Sequence, residues 1–156
     1  MEATALAPPP GWADRLGALG VRLTEPQIAQ LGDYLGRLLA TNAVMNLTAI
    51  TTPDEAWERH AFDALTLVPL LADVPAGAKV VDVGTGGGVP GLPLAIARPD
   101  LAITLVEATQ KKCAFLSATS AALGLRNVAV LAQRAEDVVR SRPRTYDVAT
   151  ARAVAA

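Results

Sequence analysis

A chain of 156 residues that is 51% hydrophobic with a formal net charge of −1 fits one soluble globular domain, which can bury a core without disulfides or metals. Its lone cysteine, Cys113, excludes an internal disulfide framework and a cysteine-based zinc site; with one histidine, no metal site is expected. No run approaches the ~20 apolar residues of a membrane span, and Met1 to Pro10 lack the basic and apolar regions of a secretory signal, so a cytoplasmic enzyme is the natural reading.

The charge is uneven along the chain. Residues 1–75 hold four Lys+Arg against nine Asp+Glu, and residues 76–156 hold ten against six. Arg134, Arg140, Arg142 and Arg144 lie close together in the basic half. They suit either phosphate contacts or a solvated helix end, and so small a patch is a weak nucleic-acid footprint.

In chain order, residues 1–10 are proline-rich and expected to be disordered. Residues 11–75 read as a helical part. A short helix is expected from Trp12 to Leu19. Thr24 and Gln27 form a capping box ahead of Ile28, Leu31, Leu35, Leu38 and Leu39, which predicts a helix from Thr24 to Ala40. Thr41 to Thr48 is polar and reads as irregular. A further helix is expected from Asp54 to Leu71, with a break near Pro69.

Residues 76–156 alternate strand and helix, the pattern of a parallel sheet covered by helices in an α/β fold. Strands are expected at Lys79–Val83, Ala102–Val106, Val128–Leu131 and Tyr146–Thr150. Helices are expected at Gly91–Ala97, at Lys111–Leu123 with Gly124 as its stop, and at Ala135–Val139.

The first strand runs into a glycine turn, Val83-Gly84-Thr85-Gly86-Gly87-Gly88, where the backbone can approach a nucleotide-like ligand closely. Two registers fit. Gly84, Gly86 and Gly88 give G-x-G-x-G; Gly86, Gly88 and Gly91 give G-x-G-x-x-G, the dinucleotide fingerprint. The first is favoured because Gly84 directly follows the strand and Asp82 stands two residues before it, the acid-x-G-x-G-x-G form of S-adenosylmethionine-dependent methyltransferases. Asp82 equally suits a purely structural role, tying the turn through backbone hydrogen bonds. Glu107 ends the second strand, nineteen residues after Gly88, where an acid can accept hydrogen bonds from ribose hydroxyls. Ala135-Glu136 follows the third strand, where an adenine contact is expected, with helix capping by Glu136 as the competing role.

Asn46-Leu47-Thr48, Arg59-His60-x-x-Asp63, the run Asp82 to Leu94, Lys111-Lys112-x-x-Phe115-Leu116, Arg134-Ala135-Glu136 and Ala151-Arg152-Ala153 together resemble the ribosomal RNA small subunit methyltransferase G family, also called glucose-inhibited division protein B. The resemblance implies a Rossmann-like class I fold and methyl transfer from S-adenosylmethionine to N7 of a guanine in small-subunit (16S) ribosomal RNA, naked or within the 30S subunit; separately, a monomer is expected. It places the cofactor contacts at Gly84 and Val89, at Ala135 and Glu136, and at Arg152; Gly86, Gly88 and Glu107 join them by the spacing above. The family often carries an aromatic residue where this chain has Val89. His60 and Asp63 match its motif, with packing or helix-to-core hydrogen bonding as their expected roles. The family continues with a further helix and three strands beyond the match, so an open edge at the fourth strand and weak activity of this chain alone are expected.

Guanine N7 carries a lone pair and loses no proton on methylation, so no catalytic base is nominated. Cys113 sits in a helix and is a poor nucleophile candidate. A small-molecule methyltransferase, an NAD-dependent oxidoreductase in the second register, and a non-catalytic cofactor-binding module stand as alternatives.

Overall fold

Each β-branched run of the C-terminal half becomes a strand of one parallel sheet in the computed structural model, which describes residues 3–152. The strands are β1 (Lys79–Val83), β2 (Ala102–Val106), β3 (Val128–Leu131) and β4 (Val148–Ala151), in the order β3-β2-β1-β4. The chain moves outward from β1 through β2 to β3 and then returns to the other side of β1. That reversal is a topological switch point, and in open α/β sheets ligands bind beyond the carboxyl ends of the strands at such a point. β4 starts two residues later than expected. Asp147 instead ties the entrance, its N–H donating to the Lys79 carbonyl (2.7 Å) and its Oδ2 accepting from the Lys79 N–H (2.8 Å).

The helices are α1 (Trp12–Ala18), α2 (Glu25–Met45), α3 (Pro53–Ala56), α4 (Asp63–Leu65), α5 (Gly91–Ala97), α6 (Gln110–Ala122) and α7 (Ala135–Ser141). The Thr24–Gln27 capping box is formed in both directions. Three expectations need correction. The α2 helix continues through the segment read as irregular, to Met45, and stops where Asn46 takes a left-handed conformation (φ 53°) that asparagine tolerates better than most residues. The single helix expected over Asp54–Leu71 is divided: a π-helical turn (Trp57–Phe62) separates α3 from α4, and a 3₁₀ turn (Val68–Leu71) follows. Near that break the Thr66 hydroxyl donates to the Asp63 carbonyl (2.5 Å), and Pro69 has no N–H to continue the ladder.

The third correction concerns the proline-rich start. Residues 3–10 are ordered against α2 rather than disordered: the Leu6 N–H donates to the Gly32 carbonyl (3.0 Å), and Leu6 packs on the core. Gly32 and Gly36 lie one turn apart, and a Cβ on either would collide with the backbone carbonyl oxygen of Leu6 or Thr4, respectively. The two glycines open a groove for an extended backbone.

One core joins the helical part to the sheet. Val80, Ile103 and Leu105 pack with Leu31, Leu35 and Leu38 of α2, Leu92 and Ile96 of α5, and Leu116 of α6. Fully burying a leucine such as Leu35 or Leu38 contributes roughly 1.5–3 kcal/mol. Val81, Val106 and Val138 form a smaller cluster with Val83, Leu131 and Tyr146 around α7. Because successive strand residues face opposite sides, Asp82 shares the Val80 side and enters the larger core.

Candidate cofactor and substrate site

The glycine loop leaves β1 with Gly84, Gly86 and Gly88 at φ 65°, 58° and 100°, left-handed values that L side chains rarely adopt. Most of its amides are spent within the protein. The Gly86 N–H donates to Glu107 Oε1 (3.1 Å), the Gly88 and Val89 N–H groups to the Thr85 carbonyl (2.9 and 3.3 Å), and the Gly91 N–H to Asp82 Oδ2 (2.9 Å). A pyrophosphate needs free N–H donors, and here Gly86, Gly88 and Gly91, the glycines of the dinucleotide register, offer none. The loop presents acceptors and close backbone approach instead.

Asp82 holds this turn from beneath. It is fully buried and accepts from Thr85 Oγ1 (2.6 Å), the Gly91 N–H and Thr150 Oγ1 (3.1 Å), joining β1, the loop, α5 and β4. Burial pushes its carboxyl up to about 6, against these three hydrogen bonds, which favour the charged form. On the other side Tyr34 of α2 donates to the Gly87 carbonyl (2.8 Å); burial, with the nearby Asp82 charge, raises its phenol and keeps it a donor. A Cβ on Gly87 would stand 2.8 Å from Leu38 Cδ1, so a side chain there would require the end of Leu38 to shift.

The expected site residues divide between two hollows that meet at Gly84. A cavity of about 260 Å³ is lined by Gly84, Glu107, Ala135 and Glu136 with Val83, Val106 and Gln133 among their neighbours. A cleft of about 930 Å³ on the other side of Gly84 is lined by Gly86, Val89 and Arg152 together with Thr48, His60 and Asp63. Gly88 lines neither. It is buried, and a Cβ there would press on Leu92 and Leu116, so its glycine serves packing. Glu107 is also buried; its Oε2 accepts the Thr109 N–H (2.7 Å), and four lone-pair sites on the carboxylate leave capacity for ligand hydroxyls. Glu136 is exposed in the first turn of α7.

The larger cleft also brings in residues that the sequence did not single out for the site, Thr48, His60 and Asp63 among them. His60 is buried and makes the helix-to-core hydrogen bonds expected of it, but on the cleft wall: its Nε2 meets Thr48 Oγ1 (2.8 Å) and its Nδ1 meets Arg152 Nη1 (3.3 Å). Cys113 is buried with its thiol donating to the Glu107 carbonyl (3.1 Å); burial and then Glu107 push its pKa up, which disfavours the thiolate that a nucleophile needs.

The two hollows leave room for an extended ligand laid against the backbone at Gly84. The family model for rRNA small subunit methyltransferase G matches residues 27–156. This chain belongs to that family. Ribosomal RNA small subunit methyltransferase G of Sorangium cellulosum is 60% identical over 150 residues, covering 96% of this chain and 63% of that protein. The proteins of the same name from Moorella thermoacetica and Cupriavidus necator are 45% and 48% identical over 138 and 122 residues, covering 87% and 73% of this chain and 57% and 52% of theirs. The chain thus spans less than two thirds of these relatives.

His60 gives the larger cleft a measurable pH signature. Burial, then the Arg152 charge, pushes its imidazole down to about 4, with Asp63 opposing. An unfolded histidine, near 6.5, takes its proton first, so the His60 contribution to stability is complete above pH 6.5 and lost as pH falls to 4, about 3 kcal/mol in all. Asp82 acts oppositely: with its folded value raised to about 6, its contribution is fullest below the unfolded value of 3.8 and lost as pH rises to 6. Comparing wild type with His60→Gln cancels the Asp82 term. In denaturant titrations the stability advantage of wild type over His60→Gln is expected to shrink by about 3 kcal/mol between pH 7 and pH 4; a difference that does not change with pH contradicts the assignment.

Proposed function

We propose that the protein transfers the methyl group of S-adenosylmethionine to N7 of a guanine in small-subunit ribosomal RNA, as a cytoplasmic monomer acting on the RNA or on the 30S subunit. The observation that carries this reading is the pair of hollows meeting at Gly84, one ending in the buried Glu107 carboxylate, the other opening to Arg152 and His60. Glu107 would hold the ribose hydroxyls, Gly84 and Gly86 would let the ligand lie against the backbone, and Ala135 and Glu136 would flank the adenine. Gly88 supports this cradle from below. When bound, the cofactor supplies an electrophilic methyl on a positively charged sulfur.

The remaining work is placement. N7 attacks with its own lone pair and sheds no proton, which agrees with a cleft whose histidine is held neutral; Asp82, buried beneath the loop, is occupied by three hydrogen bonds. Holding N7 in line at ~3 Å from the methyl carbon removes several kcal/mol of barrier. Arg59 is exposed at the cleft and Arg152 lines it, positions suited to phosphate contacts.

The test is methyl transfer from labelled cofactor by the full-length gene product to naked small-subunit ribosomal RNA and to 30S subunits, followed by nucleoside analysis. 7-Methylguanosine is expected. Label found only in a small metabolite, or on an exocyclic nitrogen, rejects the reading. Glu107→Ala is expected to weaken S-adenosylmethionine binding roughly 10- to 100-fold by calorimetry, the cost of leaving buried hydrogen-bonding groups unmet; unchanged affinity removes Glu107 from the site.

A further inference from the structure

The hydrogen bonds around His60 can be counted to a single answer. Arginine has donors only, so Arg152 Nη1 at 3.3 Å makes His60 Nδ1 the acceptor. The proton of the neutral ring is therefore on Nε2, which donates to Thr48 Oγ1 (2.8 Å). The same oxygen accepts the Ile50 N–H (3.1 Å). Both lone pairs of the Thr48 hydroxyl are then in use, and no acceptor among the described residues takes its O–H. Thr48 lines the larger cleft beside His60, Gly86 and Arg152.

A hydroxyl so held can only donate. On the edge of guanine that presents N7, the neighbouring O6 is an acceptor; adenine places an N6 amino donor there. We propose that Thr48 donates its O–H to guanine O6, fixing N7 for attack and rejecting adenine, with His60 and Arg152 as positioning residues that lock its donor state. The inference rests on the guanine-N7 reading above. An adenine in this place would bring its amino group against an oxygen with no free lone pair, and its own donors would go unmet.

The experiment compares wild type, Thr48→Val and Thr48→Ser of the full-length gene product on ribosomal RNA carrying guanosine, or 6-thioguanosine, a poor acceptor, at the nucleotide that wild type methylates. Thr48→Val is expected to lower kcat/KM for the guanosine RNA about tenfold or more while S-adenosylmethionine affinity stays within about twofold, and Thr48→Ser is expected to restore most of the activity. On 6-thioguanosine RNA, wild type is expected to fall to nearly the level of Thr48→Val. Equal slowing of both RNAs by Thr48→Val, or none, overturns the donor role while leaving the methyltransferase reading intact. Cofactor binding without methylation of any ribosomal RNA guanine by wild type overturns the reading and this inference together.

Discussion

Gly91→Ala is expected to destabilise the protein by about 3 kcal/mol, the upper range for forcing a methyl into a packed core. The added Cβ would collide with Leu105 Cδ2 and stand 2.7 Å from Asp82 Oδ2. Neither neighbour can yield. Leu105 is fully buried on β2 and pairs in register with Asp82 on β1, and Asp82 Oδ2 is held by Thr85 and by the Gly91 N–H itself. The helix α5 would have to lift from the sheet and take the glycine loop with it, so cofactor affinity should fall along with stability. Thermal unfolding and calorimetry on the same variant check this; an alanine variant that melts within about 1 °C of wild type, less than a ΔΔG of a few tenths of a kcal/mol would produce, contradicts the packing described.

Asp82→Ala is expected to cost a similar amount, about 3 kcal/mol, through its partners. It strands the Gly91 N–H and the hydroxyls of Thr85 and Thr150, of which the Gly91 amide cannot turn to another acceptor. Asp82→Asn should be far milder, within about 1 kcal/mol of wild type at pH 7. Its carbonyl oxygen can take the place of Oδ2, and the Thr150 hydroxyl can turn to accept from its amide. Urea titrations of both variants make the comparison. Equal losses for Ala and Asn would mean that the charge of Asp82, and not its hydrogen bonding, holds the loop.

Much of this was legible in the residues. The strands lie where valine-rich runs stand between turn residues, and the capping box set the start of α2 because Thr24 and Gln27 satisfy each other's backbone groups. The glycine register was also legible, since Gly84 follows the strand end and Asp82 faces inward beneath it. What was hidden depends on contacts between distant segments. The proline-rich start is ordered by a groove that Gly32 and Gly36 open on α2, which the composition of the first ten residues cannot reveal. The division of the site into two hollows was equally hidden, and Gly88 belongs to packing because it falls over Leu92 and Leu116. The pairing of Thr48, His60 and Arg152 joins three segments, His60 and Arg152 standing 92 positions apart. Only the extension of α2 had a local sign, the Asn46 that follows it.

The central claim is that the hollows meeting at Gly84 hold S-adenosylmethionine and not a dinucleotide. Calorimetric titration of the purified protein with S-adenosylmethionine, S-adenosylhomocysteine and NADH tests it most directly. Saturable one-to-one binding of the first two, weakened by Glu107→Ala, with no heat from NADH, is the predicted result. Saturable NADH binding with none of either adenosyl ligand would contradict it.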